Sequence, residues 1–375
     1  MLPLVRTVDL RLERMLRALQ SGQSPVSANS GALTPCWKKT TRSPVVRVVF
    51  SDDKQLLAYW ELDKHGVHII NLSSETAAEH YIVFGAAIHC IAFEPNSKHL
   101  CVGVKSKNND LGKFEVLKRG DDGSFTICRT ISLMEIPKTV VAGDGGSKAL
   151  WVGNTFAFVY EDQLYLKSAG SFTMPERNGM MDLSRQVCRE CECDFAICSK
   201  IHTQYDCVAC LNISNIRIYE YILDGMGEIQ MYHKQTIDMG PVAIELYPRI
   251  TMSCNYIVVY TPATQLFRVY RPLDSNDFNH EMRQSNWAWY IDVHVAHNDL
   301  FFKEDSLSVL YIVQQNGISK TDLTFKAPKN WFDPLPPPEI QPYKNFHVDG
   351  DVTRAVYTPG FIGVCSSEAM TVFTM

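Results

Sequence analysis

A unit of four short apolar segments recurs about every 45–50 residues from Val45 onward, and this repeat constrains the fold more than any other feature. The segments are rich in Val, Ile, Tyr and Phe and are separated by Gly, Asp, Asn, Ser and Pro, which is the pattern of β-strands joined by turns. Seven units can be traced, and their first segments are Val45–Phe50, Ile88–Phe93, Leu150–Val152, Phe195–Lys200, Val242–Tyr247, Leu300–Lys303 and Arg354–Tyr357. The sequence therefore predicts an all-β protein.

Four strands per unit at this period are typical of a β-propeller. The second segments, such as Leu56–Trp60 and Tyr256–Tyr260, are almost continuously apolar, as expected of strands covered on both faces by neighbouring blades. The third unit is the weakest, with its fourth segment expected at Phe172–Met174, and the sixth unit shows no clear fourth segment. We expect seven four-stranded blades, with six as the alternative.

Two further segments fit this architecture. Trp287, Trp289 and Tyr290 are expected on a strand packed between blades, because three neighbouring aromatic side chains would bury a large apolar area there. The run Pro334–Pro338 is expected to be a rigid spacer between the sixth and seventh units.

These units resemble WD-repeats. The family opens its first strand with an apolar-x-Phe pattern, matched here by Val48–Asp53 and Ile91–Asn96. In the family, the third strand ends in an aromatic residue followed by Asp, and no unit of this chain has the Trp-Asp dipeptide itself. The residues at that place are Ile70-Asn71, Tyr219-Glu220, Tyr270-Arg271 and Phe373-Thr374. The resemblance covers Val45 to Met375 and implies a WD-like propeller.

The last unit stops after its third segment, and the resemblance implies that the N-terminus supplies the missing outer strand. The two candidates for this strand are Leu4–Leu10 and Trp37–Thr41. The chain is accordingly divided into residues 1–44, a short basic N-terminal arm and linker, and residues 45–375, the propeller.

Charge is distributed unevenly along the chain. Residues 1–47 carry eight Lys or Arg and two Asp or Glu, a net +6, and the remainder carries 28 and 39, a net −11. The acidic body favours basic partner surfaces and argues against direct nucleic-acid binding.

The N-terminal arm contains the candidate partner-binding residues. Its apolar side chains share one helical stripe, with basic side chains elsewhere on the helix. The stripe is Val8, Leu12, Met15, Leu16 and Leu19, accompanied by Arg14 and Arg17. Three interpretations stay open: a helix or strand packed on the propeller, a partner-binding helix, or a mitochondrial presequence.

Thiols are the candidate metal ligands. Cys188, Cys191, Cys193 and Cys198 form the densest cysteine cluster, and a Cys-x-x-Cys-x-Cys sequence offers ligands suited to zinc. His294 and His297 lie three apart but are expected to diverge on a strand and turn. We expect buried or loop thiols rather than zinc, and we expect no cofactor.

The chain contains no long uncharged apolar run, no secretory signal and no familiar catalytic motif. We therefore expect a non-catalytic protein–protein interaction scaffold, a subunit of a larger assembly that binds partners through its loops and its N-terminal arm. The cytoplasm or nucleus is the expected location, and homo-oligomerisation is not indicated. The alternatives are a propeller hydrolase with acid and base residues in its channel, or a mitochondrially targeted propeller subunit.

Overall fold

The computed structural model is all-β, and Ala32–Met375 forms one compact unit. It describes residues 31–51, 53–62, 64–73, 79–94, 97–105, 111–133, 149–152, 155–160, 163–168, 180–181, 187–192, 196–201, 206–212, 214–223, 229–239, 248–253, 255–261, 264–271, 289–303, 306–324 and 337–375. The all-β prediction is confirmed. The predicted boundary between residues 44 and 45 stays a prediction.

The strands form antiparallel sheets, named here in chain order by their first strands. The early strands are β1 (Pro35–Thr40), β2 (Val45–Phe50), β3 (Leu56–Glu61), β4 (Gly66–Asn71), β5 (Glu79–Val83), β6 (Ile88–Phe93), β7 (His99–Lys105), β8 (Leu111–Arg119) and β9 (Phe125–Leu133). The middle strands are β10 (Ala149–Val152), β11 (Thr155–Tyr160), β12 (Gln163–Ser168), β13 (Met180–Met181), β14 (Val187–Glu192), β15 (Ala196–Ile201), β16 (Asp206–Leu211), β17 (Asn215–Leu223) and β18 (Ile229–Asp238). The late strands are β19 (Arg249–Met252), β20 (Ile257–Thr261), β21 (Leu266–Arg271), β22 (Trp289–His294), β23 (Asp299–Phe302), β24 (Val309–Gln314), β25 (Gly317–Asp322), β26 (Ile340–Asn345), β27 (Val352–Thr358), β28 (Phe361–Ser366) and β29 (Ala369–Thr374).

In the described part of the chain these strands make six four-stranded sheets and one five-stranded sheet. The first sheet is β2-β3-β4-β5, and the fourth, fifth and sixth follow the same simple up-and-down order with β15–β18, β19–β22 and β23–β26. The second sheet is β6-β7-β8-β9, to which β13 adds in parallel, and the third is β10-β11-β12-β14. The arrangement is compatible with propeller-like blades.

The seventh sheet combines the two ends of the described chain. Its order is β1-β29-β28-β27, so β1 forms its outer edge. β1 pairs antiparallel with β29 over Lys38↔Thr371 and Lys39↔Met370, with a bulge near its start. β1 overlaps Trp37–Thr41, one of the two positions predicted for this strand, and the other position, Leu4–Leu10, lies outside the described residues.

Consecutive sheets pack against each other through apolar side chains. The second strands β3 and β20 are buried along their whole length, as the sequence predicts for strands covered on both faces. The first strands contact one another in the order β2, β6, β10, β15, β19, β23 and β27, and β27 in turn contacts β2. Between the seventh and first sheets, Cys365, Met370 and Val372 pack with Val48 and Leu57 in one buried cluster.

One strand prediction differs from the structure, and two others fall on residues outside the described part of the chain. The sixth sheet does have a fourth strand, β26, which follows the proline run and contains Pro342. The fourth strand of the third sheet is β14, whereas the predicted Phe172–Met174 lies outside the described residues. The fifth sheet starts at β19, just after the predicted Val242–Tyr247, which also lies outside them.

Candidate functional site

Four charged side chains lie at one level of the first strands in four consecutive sheets. Each residue pairs with the second-last residue of the second strand in its own sheet. The four pairs are Arg249 with Tyr260, Asp299 with Val313, Arg354 with Cys365 and Arg47 with Trp60. Because the first strands of these sheets contact one another in turn, matched register positions bring the four residues together. We call Arg47, Arg249, Asp299 and Arg354 the charged layer.

A β-bulge precedes the charged layer in two of its strands. The register shifts between Val45 and Arg47 in β2, and between Val352 and Arg354 in β27. β6 has the equivalent shift before Cys90. Bulges change the direction of the side chain that follows them and are frequent beside functional sites.

Asp299 is the centre of the hydrogen bonding in the layer, and it is 7% exposed. It accepts hydrogen bonds from the Tyr260 hydroxyl, from the backbone N–H of Leu300 at 3.1 Å and from the backbone N–H of Ala355 at 2.9 Å. Arg249 forms an ion pair with it at 3.3 Å. This carboxylate therefore connects the fifth, sixth and seventh sheets. Burial, reinforced by the charge of Asp299, raises the pKa of Tyr260.

Arg249 and Arg47 have opposite electrostatic surroundings. Burial lowers the pKa of Arg249, but the charges of Asp299 and Tyr260 and the hydrogen bonds to them together outweigh burial and raise that pKa. Arg249 also donates to the carbonyl of Asn298 at 3.2 Å. For Arg47, burial and then the positive charge of Arg354 lower the pKa to about 10. Arg47 therefore stays protonated at neutral pH, but in a less favourable environment than Arg249.

The three arginines are half-buried residues. Arg47, Arg249 and Arg354 are each partly exposed although they lie among the first strands. Burial and the charge of Arg249 lower the pKa of Arg354. The neighbouring thiols Cys90 and Cys365 are buried, and burial raises the pKa of each to about 12, so neither carries negative charge at neutral pH. Within the described residues, the layer is a set of three cations and one carboxylate.

His297 lies beside this layer and is 4% exposed. Its Nδ1 lies 2.8 Å from the carbonyl oxygen of Val295, and its ring packs edge-on against Tyr260 and Phe267. Burial lowers the pKa of His297, so the ring is neutral at pH 7 and Nδ1 donates the hydrogen bond to Val295. Nε2 is buried with no hydrogen-bond partner in the described structure.

A second polar cluster joins β1 to the first sheet. The ring of His68 stacks on Tyr59 with centroids 4.7 Å apart and packs against Tyr81 at 4.4 Å. His68 Nδ1 lies 2.6 Å from a carboxylate oxygen of Glu79, which also pairs with Lys39 of β1. Burial lowers the pKa of His68, and hydrogen bonds from Lys39 and His68 lower that of Glu79 despite its burial. This cluster ties the seventh sheet to the first.

The candidate residues of the N-terminal arm lie outside the described residues. These are Val8, Leu12, Met15, Leu16 and Leu19 with Arg14 and Arg17. Their role in partner binding stays a prediction.

The cysteine cluster is divided between two sheets. Cys188 and Cys191 lie on β14, Cys198 lies on β15 of the next sheet, and Cys193 lies outside the described residues. The described residues contain no group of three or more His, Cys, Asp or Glu that could hold a metal ion. The expectation of buried or loop thiols rather than zinc stays a prediction.

Tyr290 differs from the expectation of a strand packed between blades. It is 45% exposed on β22, and the guanidinium of Arg268 lies 4.7 Å from the centre of its ring. Arg268 in turn makes a two-point hydrogen bond to Asp292 at 2.5 and 3.0 Å. Part of this aromatic group therefore faces outward.

The charged layer is not among the sites predicted from the sequence, although two of its arginines occupy matching positions in their strands. Val-Val-Arg-Val-Val-Phe at Val45–Phe50 and Val-Thr-Arg-Ala-Val-Tyr at Val352–Tyr357 each place one arginine at the third position of an otherwise largely apolar strand. Two first strands with the same charged position indicate a shared role at one level of the fold. Arg249 and Asp299 begin their strands, so they resemble ordinary turn residues in the sequence.

No protein-family model matches this chain, and no curated protein matches it. Among the described residues, no helix has the length and apolar character needed to cross a membrane. The functional argument therefore rests on the geometry of the sheets and of the charged layer.

Proposed function

We propose that this chain is a closed, seven-bladed WD-like β-propeller that acts as a non-catalytic protein-interaction scaffold within a larger assembly in the cytoplasm or nucleus. The observation that carries the proposal is the pairing of β1 with β29 in a molecule whose first strands contact one another in sequence and return from β27 to β2. In this interpretation each sheet is a blade, and the seventh blade is composite.

Closure of the ring would explain why an N-terminal strand, β1, forms part of the last sheet. Without β1, the outer edge of β29 would present unpaired N–H and C=O groups, which invite non-specific pairing with other chains. The buried cluster formed by Cys365, Met370 and Val372 with residues of the first sheet supports the same arrangement. The described residues form seven sheets, and this number favours seven blades over six.

A closed ring is suited to binding partners because its loops can vary while its blades stay rigid. Edge strand β5 adds an exposed apolar surface, since Tyr81 is 47% and Val83 is 62% exposed on one face. The net charge of −11 on residues 48–375 favours a basic partner surface. The apolar stripe of the N-terminal arm would contribute a second contact.

The test is co-purification of the full chain from its own cells, followed by size-exclusion chromatography. We expect at least one stoichiometric protein partner and an elution volume well below that of a 42.5 kDa monomer, because larger assemblies elute earlier. Leu12→Glu combined with Leu16→Glu places two charges on the apolar stripe and should weaken partner capture by at least about tenfold. Gln20→Glu with Gln23→Glu is the matched control, because it adds the same charge outside the stripe.

A full chain that purifies as a monomer with no stoichiometric partner would contradict the scaffold proposal. If a partner is retained equally by both double variants, the arm is not a binding element and the contact lies on the sheets or their loops. Substitution of Tyr81→Ser and Val83→Ser then locates that contact on β5 or excludes it.

A further inference from the structure

We propose that strand β5 binds an extended segment of a partner protein, in which apolar and basic residues alternate, as an additional strand of the first sheet. The inference rests on the scaffold function proposed above and names the site and the chemistry of one partner. A strand that adds to a sheet edge gains affinity from main-chain hydrogen bonds and specificity from its alternate side chains.

The outer edge of β5 presents backbone groups for such pairing. β5 is the last strand in the order β2-β3-β4-β5, so β4 covers only one of its two edges. Phe84 donates its N–H to the carbonyl of His65 at 2.7 Å, directly beyond the last ladder pair. Because alternate residues of an antiparallel ladder bond to the same neighbour, Ile82 also bonds to β4. The N–H and C=O groups of Tyr81 and Val83 therefore point away from β4, and within the described part of the chain no strand lies beyond them.

β5 also lacks features that protect other outer strands. β13 covers part of β9, β26 contains Pro342, and β1 carries Lys38 and Lys39. Lys and Pro on an edge discourage pairing with another chain, and β5 has neither in its sequence Glu-His-Tyr-Ile-Val. The parallel pairing of β13 with β9 also shows that the outer edge of a sheet in this molecule accepts a further short strand.

The side chains beside this edge form an apolar surface that is held in position. Tyr81 and Val83 project from one face of β5 and are both exposed. The ring of Tyr81 packs on His68 at 4.4 Å and lies over Gly66, where an added Cβ would be 2.5 Å from the ring. Val83 pairs with Gly66, so β4 offers no side chain opposite it. Apolar side chains of an added strand would cover both exposed residues on this face.

Charge favours a basic partner segment over a second copy of this chain. Residues 48–375 carry a net charge of −11, so two copies would repel each other. On the opposite face of β5, His80 lies near the exposed carboxylate of Asp122, whose pKa is lowered by hydrogen bonds from Ser124 and, to a lesser extent, by the charge of His80. Basic side chains that alternate with the apolar ones would lie on this face and meet that carboxylate.

The experiment measures calorimetric binding of a synthetic peptide to the full chain. The peptide has about seven residues in which valine and lysine alternate, and the comparison peptide carries N-methyl groups on its valines. Methylation keeps the charge and the side chains but removes the N–H groups that would face β5. We expect the unmodified peptide to bind at least about tenfold more tightly. Equal binding would show that charge alone attracts the peptide and would overturn the proposal.

Val83→Pro tests the same edge from the side of the protein. Proline removes the outward N–H of Val83 and leaves the hydrogen bonds to β4 intact, as edge strands tolerate. It should weaken peptide binding by about tenfold, whereas Val83→Thr, which keeps the N–H and the branched shape, should weaken it by less than about threefold. Unaltered binding to Val83→Pro would contradict strand addition. The comparison of the two peptides needs no variant, so it decides the question even if Val83→Pro lowers the Tm.

Amide hydrogen exchange at single residues locates the added strand. In the free chain the amides of Tyr81 and Val83 should exchange fast and that of Ile82 slowly, because only Ile82 bonds to β4. Saturating peptide should slow exchange at Tyr81 and Val83 by at least about tenfold. Slow exchange at both residues in the free chain, or no change with the peptide, would overturn the proposal. Protection of these amides in a dimer of the chain would assign the edge to a second copy and overturn the partner segment.

These outcomes are separable from those of the scaffold test. A stoichiometric partner that co-purifies but leaves the amides of Tyr81 and Val83 in fast exchange overturns strand addition and leaves the scaffold function standing. A chain that binds the peptide at β5 but purifies without any partner contradicts the scaffold function and supports the strand site.

Discussion

At the scale of single residues, the electrostatics of the molecule are decided by which polar groups have partners. Tyr260 and Tyr59 are both buried tyrosines on second strands, but only the Tyr260 hydroxyl has a partner, the carboxylate of Asp299. The Tyr59 hydroxyl is buried with no hydrogen-bond partner in the described structure. The same chemical change at the two positions should therefore have different consequences.

Replacing Tyr260 by Phe should destabilise the protein by about 1.5–3 kcal/mol, because a buried carboxylate loses one of its donors. Tyr59→Phe should be neutral or stabilising, because no hydrogen bond is lost there. Urea denaturation of both variants measures the difference in the free energy of unfolding. Equal losses in the two variants would show that the hydroxyl of Tyr260 does not support Asp299.

His297 should make the fold sensitive to mild acid. Its folded-state pKa is lowered by burial, so between about pH 6.5 and that lowered value the unfolded state binds more protons than the folded state. Stability contributed by the neutral ring is complete above about pH 6.5 and is lost as the pH falls through this window. His297→Gln should therefore reduce the dependence of unfolding free energy on pH between about 7 and 5.5.

His294 provides the matched control for that measurement, because it lies three residues away and is exposed. His294→Gln should leave the pH dependence as in the unmodified chain. His68 is also held at a lowered pKa by burial, so the His297→Gln variant should retain part of the dependence. An unchanged slope in His297→Gln would contradict the assignment.

At the scale of strands, hydrophobic pattern predicts the central strands well and the edge strands poorly. β3 and β20 are continuous apolar runs and are buried throughout. β26 was missed because Pro342 and two polar neighbours interrupt its apolar pattern, which an edge strand tolerates since one side of it needs no ladder hydrogen bonds. The sequence does not predict β19, because the adjacent Val242–Tyr247 is the more apolar of the two segments and local pattern alone does not decide between them.

The charged layer could not be predicted from the sequence, for a related reason. Each of its members is visible as a charged residue near the start of a strand, but their common level follows from the pairing of four separate sheets. Register between strands distant in the chain is set by packing of the whole molecule and cannot be deduced from any one repeat.

Strand β1 should contribute to stability as an element. Deleting residues 1–31 keeps β1 and should leave the Tm nearly unchanged, whereas deleting residues 1–40 removes it and exposes the edge of β29. The longer deletion should lower the Tm by roughly 5 °C or more and promote aggregation, because buried side chains and backbone groups of β29 become accessible. Differential scanning calorimetry with light scattering measures both effects, and equal Tm values for the two truncations would contradict the role given to β1.

At the scale of the whole molecule, the proposed ring makes the first and last sheets neighbours although they are far apart in sequence. The polar cluster of Lys39, His68 and Glu79 and the apolar cluster around Val372 both lie at that junction. A ring closed in this way holds its first strands at one level, which is the condition for Arg47 to meet Arg354 across the junction. Closure is therefore the structural premise of the proposed scaffold function.

Hydrogen–deuterium exchange of the amides of β29 in the full chain tests closure most directly. β29 lies between β28 and β1, so the structure predicts slow exchange at every position from Met370 to Phe373, with matching protection of the β1 amides that bond to it. If β1 is not paired, alternate amides of β29 would face solvent. Fast exchange at those alternate positions, together with unprotected amides throughout Trp37–Thr40, would contradict the closed ring.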